Sequence, residues 1–138
     1  MPPPFIPNSY ALIDATAKRA DLALSVIKLF KSGFVPTVDT VVADLDAQEC
    51  DYDTYAPETI TAWLAPVRSV LGGWQITAPT EQFTLAATPA VPNTVGGYWI
   101  ELAGGDVFLI RQFDGPVPMV NAGDFVQITP TYVVPNGT

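Results

Sequence analysis

Thr94-Val95-Gly96-Gly97-Tyr98-Trp99-Ile100-Glu101-Leu102-Ala103-Gly104-Gly105-Asp106-Val107-Phe108-Leu109-Ile110-Arg111-Gln112-Phe113 decides the fold class of this chain. Two apolar runs, Tyr98 to Leu102 and Val107 to Arg111, flank Gly104-Gly105-Asp106. Glycine there supplies the positive φ that a tight hairpin turn demands, so the stretch predicts a β-hairpin. Neither arm alternates cleanly between apolar and polar. Both faces are therefore expected to be covered, as for an inner strand of a sandwich.

Working outward, the chain of 138 residues has the size of one domain and enough apolar content, 49%, to bury one core without metals or disulfides. Fourteen prolines and ten glycines are spread along it, which suits many short strands joined by turns. No apolar run is long enough for a membrane span. The opening Met1-Pro2-Pro3-Pro4 lacks the basic flank and apolar core of an export signal. A lone Cys50 forms no internal disulfide and fits a reducing compartment. The absence of histidine excludes Ser-His-Asp and Cys-His catalysis. Net charge is -8, but unevenly placed: residues 1–31 hold four bases against two acids, and the remainder holds two bases against twelve acids. Such an acidic body repels phosphate, so no nucleic-acid partner is expected.

Residues 1–8 carry four prolines around Phe5 and Ile6. Proline fixes φ and removes an N–H donor, so this is an arm, not a helix. Its apolar side chains either fold back or lie on another subunit. Asn8 or Ser9 caps a helix to about Lys18, with Leu12, Ile13 and Ala17 on one face and Lys18 and Arg19 near its C-terminal end. Candidate interface residues are therefore Pro4, Phe5, Ile6, Lys18 and Arg19. Residues 1–22 are expected to form the arm and helix, and 23–138 a single β-sandwich domain.

Within that domain, Ala23 to Lys31 reads as a strand and Val38 to Leu45 as a helical turn or two capped by Thr37. Further strands are expected at Thr59 to Leu64, at Val67 to Thr77 with Gly72-Gly73 bending or dividing it, and at Gln82 to Ala86. Turns are expected at Asp114-Gly115-Pro116 and Asn121-Ala122-Gly123-Asp124. A last strand spans Phe125 to Val134, with Pro130 marking an edge or a bulge. Seven or eight strands without long helices predict an all-β fold, an antiparallel β-sandwich of jelly-roll type.

Few residues point to chemistry. Asp44, Asp46, Glu49, Asp51 and Asp53 are dense enough to consider Ca²⁺, but the glycine and the terminal glutamate of an EF-hand are missing, so they read as solvated acids. Glu81, Glu101 and Asp106 are the carboxylates that a sheet could bring together for acid–base work. Trp63, Trp74 and Trp99, with Tyr52, Tyr55 and Tyr98, form either core or a glycan-stacking platform. The glycine pairs lack the lysine and helix start of a phosphate loop. No catalytic residue, cofactor or metal is assigned.

Leu29-Phe30-Lys31-Ser32-Gly33-Phe34-Val35-Pro36-Thr37, then Thr40-Val41-Val42-Ala43-Asp44-Leu45 and an aromatic at Tyr52 or Tyr55, resembles small structural proteins of tailed phages and prophages. Their pattern is roughly L-[FY]-K-N-x-[FIV]-x-P-T followed by T-V-x-A-D-[LF]. Thr94-Val95-Gly96-Gly97-Tyr98, Phe113-Asp114-Gly115-Pro116 and Gly123-Asp124 agree more loosely. Ser32 departs from the pattern's Asn, and Asp51 or Thr54 stands where a glycine precedes the aromatic. The resemblance implies a virion component made in the host cytoplasm, closest to capsid decoration or cement proteins. Its implied partners are the major capsid protein or other virion proteins and copies of itself, as dimer or trimer, with no membrane. The alternative is a tail-tip or fibre protein that binds a host glycan.

Overall fold

The computed structural model describes residues 8–70 and 72–134. In chain order its elements are α1 (Asn8–Asp21), β1 (Val26–Lys31), α2 (Val42–Gln48), β2 (Glu58–Thr59), β3 (Val67–Arg68), β4 (Trp74–Thr77), β5 (Glu81–Thr84), β6 (Asn93–Glu101), β7 (Val107–Met119), β8 (Phe125–Ile128) and β9 (Thr131–Val134). They make three antiparallel sheets, ordered β2-β1-β6-β7, β3-β4-β9 and β5-β8. The fold is β-rich with two short helices. Phe5, Ile6 and Pro4 lie outside the described residues.

The hairpin forms as β6 and β7. Gly105, at φ 96°, makes its turn, and the ends are tied by Leu102 N–H to the Asp106 carbonyl at 2.8 Å. The two arms differ in burial. β6 is buried on both faces because Val95, Tyr98 and Ile100 enter one core and Trp99 another, with β1 and β7 pairing its two edges, whereas β7 is the sheet's edge and only half-covered. The expectation of two inner strands thus holds for β6 alone. Gly97 is where the sheet is tightest: a Cβ there would strike the Arg111 carbonyl and the Phe30 ring.

Next to it the register breaks. Gly97 pairs with Gln112 but Val95 pairs with Val117, so four residues of β7 oppose the single Gly96. Asp114-Gly115-Pro116 is therefore a wide bulge within a continuing strand, not the expected turn; the chain keeps its direction because Asn93 to Val95 still offer β6 as a template.

Other expectations need correction for similar reasons. Phe125 to Val134 is two strands in different sheets, divided at Pro130, which cannot donate to a ladder. Its carbonyl instead accepts from Ala78 N–H at 2.9 Å. β4 and β5 run against β9 and β8, and the register steps by one residue across this corner, where the Thr80 and Thr129 hydroxyls share a 2.6 Å hydrogen bond. Val67 to Thr77 divides at Gly72-Gly73, one of the outcomes expected there, into the antiparallel β3 and β4. Of Thr59 to Leu64 only Thr59 pairs, since beyond it Leu64 N–H bonds the Thr77 carbonyl and leads the chain to another sheet.

Two cores result. The main one gathers Ile27, Leu29, Val95 and Ile100, Ile76 and Val134, Phe83, Leu85, Val126 and Ile128, so all three sheets contribute. Ala11, Ala15 and Leu22 join it, with α1 lying against β4 and β9. A second, smaller core of Phe30, Leu45 and Trp99, with Phe34, Val107 and Ile110 packed against it, lies apart from the main one. α2 supplies Leu45 to it. Residues of β1 and β6 enter both cores, which is why these strands do not alternate.

Candidate interaction surfaces

Helix α1 extends to Asp21, three residues past the expected end, and presents a different face to the core than Leu12, Ile13 and Ala17. Ala11 and Ala15 are buried, while Ile13 is 65% exposed and Ala17 is exposed. Close approach to β4 and β9 selects small side chains, so bulk alone misassigns the face. The outer face carries Tyr10, Ile13, Ala17 and Ala20, continued by Leu24 in the turn beyond, all exposed and without a charge among them. The spacing, alternately three and four residues, is that of a helix-pairing seam.

At the C-terminal end of that face lies a groove of about 440 Å³ lined by Thr16, Arg19, Ala20, Ala23, Thr61, Ala62 and Trp63. Arg19 fastens its two walls, donating from Nε to the Trp63 carbonyl at 2.8 Å. Trp63 is buried, its Nε1 donating to Ser25 Oγ at 3.1 Å. Arg19, expected to face a partner, thus serves its own domain as well, and Lys18 is half-buried beside it.

The second surface is the connection from β1 to α2. Phe34 packs edge-on to Phe30, centroids 5.6 Å apart, and Leu45 closes the small core. Between them Thr37 and Thr40 hold a turn: Thr37 N–H donates to Thr40 Oγ1 at 2.8 Å and Asp39 N–H to Thr37 Oγ1 at 3.2 Å. Thr37 therefore caps that turn and not the helix, which starts at Val42. Asp44 reaches back to accept from Val41 N–H at 3.1 Å, and valine, lacking an acceptor, cannot reciprocate. On this pinned frame Val35, Val38 and Val41 point to solvent, Val38 fully.

The acids of 44–53 are dispersed. Beyond Asp44 at the helix start, Glu49 accepts from Tyr55 Oη at 2.6 Å and Asp53 from Ala90 N–H at 3.0 Å. Asp51 pairs with Lys31 at 3.2 Å and accepts from Asn93 Nδ2 at 3.0 Å, contacts that hold its carboxyl below the usual range, Asn93 contributing most. Buried Asn93 also accepts from the Asp51 and Tyr52 amides at 2.7 and 2.9 Å. Among the described residues no group of acids or cysteine is placed to hold a metal ion.

Glu81, Glu101 and Asp106 are held in separate settings. Glu101 pairs with Lys28 at 3.0 Å, Asp106 closes the hairpin, and Glu81 lies on β5 near Glu58, whose carboxyl is raised by its own partial burial and then by the charge of Glu81. Burial pulls the Lys28 ammonium down, but the hydrogen bond and charge of Glu101 lift it on balance. Tyr52, Trp63, Tyr98 and Trp99 are core, and Tyr55 stacks on Phe83 with its hydroxyl taken by Glu49 and Leu29 N–H. Trp74 is half-buried under the Arg68 guanidinium, 5.5 Å from its ring centre. Burial pushes the Cys50 thiol up to about 12, leaving it a packing residue.

Tyr10, Ile13, Val35, Val38 and Val41 are exposed but are not among the contact residues expected from the sequence. The seam spacing of α1 was the available signal for the first two; valines on an irregular connection carry none. Among the described residues no helix is long and apolar enough to cross a membrane. Compared with known proteins, the chain matches no family model, no curated protein and no solved structure.

Proposed function

We propose that this chain is a structural component of a tailed-phage virion, a capsid decoration or cement protein that stabilises the shell through contacts with the major capsid protein and with copies of itself. The observation that carries this reading is the β1–α2 connection. Its phage-like motif residues Phe30, Phe34, Thr37, Thr40, Asp44 and Leu45 fix the frame, and the frame holds Val35, Val38 and Val41 out to solvent. Rigid apolar side chains on an acidic body suit a contact made by burying surface. We read the three sheets as one jelly-roll-like sandwich, a reading supported by the ribbon of β4–β5 against β8–β9 bending at Pro130 and by the shared main core. On this reading the protein turns over no substrate, takes no cofactor and acts in the assembled particle after synthesis in the host cytoplasm.

The test is co-assembly with the major capsid protein encoded in the same genome, followed by imaging of the particles. Density on the shell, lost when Val35 and Val38 are both changed to Asp while the melting temperature stays put, is the expected result. Density at the tail tip would replace this reading with that of a fibre or tip protein. Absence from the particle would end both.

A further inference from the structure

We propose that a second copy of this chain packs antiparallel against the outer face of α1, with its Phe5 and Ile6 seated in the groove between α1 and residues 61–63. This specifies the self-association in the reading above, but stands or falls independently of any shell.

Three observations carry it. The seam on α1 is graded: Tyr10 and Ile13 are large and occupy its N-terminal half, while Ala17 and Ala20 are small and occupy its C-terminal half. Antiparallel pairing about a two-fold axis near Ala17 sets the two Ala17 side chains together at the crossing, each copy's Ile13 beside the other's Ala20 and each Tyr10 against the other's Leu24, a self-complementary contact. Leu24 then makes sense. It sits at φ 58°, where glycine would be free of strain, and yet displays a leucine that is 61% exposed.

The third observation concerns reach. An extended chain advances at most about 3.6 Å per residue, so Phe5 lies within about 11 Å of Asn8. Ala20 in the groove lies about 18 Å along the helix from Asn8. Phe5 and Ile6 of the same chain can therefore come no further than the near rim at Thr16. In the antiparallel pair the second copy's Asn8 lies past the end of α1, beside Leu24, which brings its Phe5 and Ile6 to the groove.

Both copies carry a charge of -8, so association should tighten as salt rises. A charge-driven contact would weaken instead.

Light scattering and sedimentation of the full chain should show a dimer that strengthens with salt. Ile13→Asp, at an exposed position, should weaken it about tenfold or more at unchanged melting temperature. Ala17→Cys should give a covalent dimer under mild oxidation and Thr84→Cys none, with buried Cys50 not competing. Mixing a Phe5→Cys variant with an Ala20→Cys variant should yield a cross-linked heterodimer. A monomer at every concentration and salt overturns the proposal, as does a dimer indifferent to Ile13→Asp or without the Ala17 cross-link. Cross-linking only within the Phe5→Cys/Ala20→Cys double variant overturns the exchange of arms.

Discussion

The two helices use their side chains in opposite ways. α2 has seven residues, and its one buried side chain is large: Leu45 sits with Trp99 and Phe30 in a core of its own. α1 has fourteen, buries Ala11 and Ala15 inward, and leaves Tyr10 and Ile13 outside. A helix serving only its own domain gains most by burying its bulkiest apolar residues, at roughly 1.5–3 kcal/mol each. α2 follows that rule and α1 does not. The difference marks α2 as a clasp that completes the fold and α1 as a helix that packs through small side chains and leaves its bulk exposed, the bulk that the proposed pairing would cover.

The sharpest way to break this contrast is in the small core. Trp99→Ala should cost about 3–5 kcal/mol, and Leu45→Ala about 2–5, both read as a fall in denaturant midpoint. If Leu45→Ala costs no more than Ala15→Gly, α2 is not a clasp. Next comes the anchor that follows α2: Asn93→Ala strands the Asp51 and Tyr52 amides and should cost about 1–3 kcal/mol.

That variant also tests the pH dependence. Asp51 is held below its ordinary value in the folded state, so its contribution is present above about pH 4, its unfolded value, and is lost as pH falls through the folded one. Asn93→Ala should flatten the acid limb of the stability curve.

On α1 the effects are smaller and differ in sign. Leu24→Gly should stabilise the isolated domain by roughly 1 kcal/mol by releasing the left-handed strain, while weakening self-association. Ile13→Asp should leave stability within about 0.5 kcal/mol. A large loss there would mean that α1's outer face is part of the domain's own core, and the contrast with α2 would fail. Smallest of all, Cys50 should resist thiol reagents until the protein unfolds, since burial suppresses its thiolate.

Much of the fold was legible because turn chemistry is local. Gly105, Gly72-Gly73 and Asn121 to Asp124 reverse the chain where their residue types demand it, and Asp124 secures the last of these by accepting from the Val120 and Asn121 amides at 3.0 and 2.9 Å. The antiparallel β-rich class, the hairpin, the strand at Val26–Lys31 and the presence of an N-terminal helix followed from patterns a few residues long. The candidate surfaces were less legible. Of the anticipated contact residues, Pro4, Phe5 and Ile6 precede the described region, and Arg19 is partly claimed by the Trp63 carbonyl.

Tertiary structure alone decided the rest, because each outcome depends on what a distant segment offers. Asp114-Gly115-Pro116 stays in strand since β6 still pairs beyond it, and the acids of 44–53 scatter because Lys31, Asn93, Tyr55 and Ala90 each claim one or supply its partner. Which face of α1 turns inward was set by its packing against β4 and β9, which buries Ala11 and Ala15 rather than the bulkier Tyr10 and Ile13.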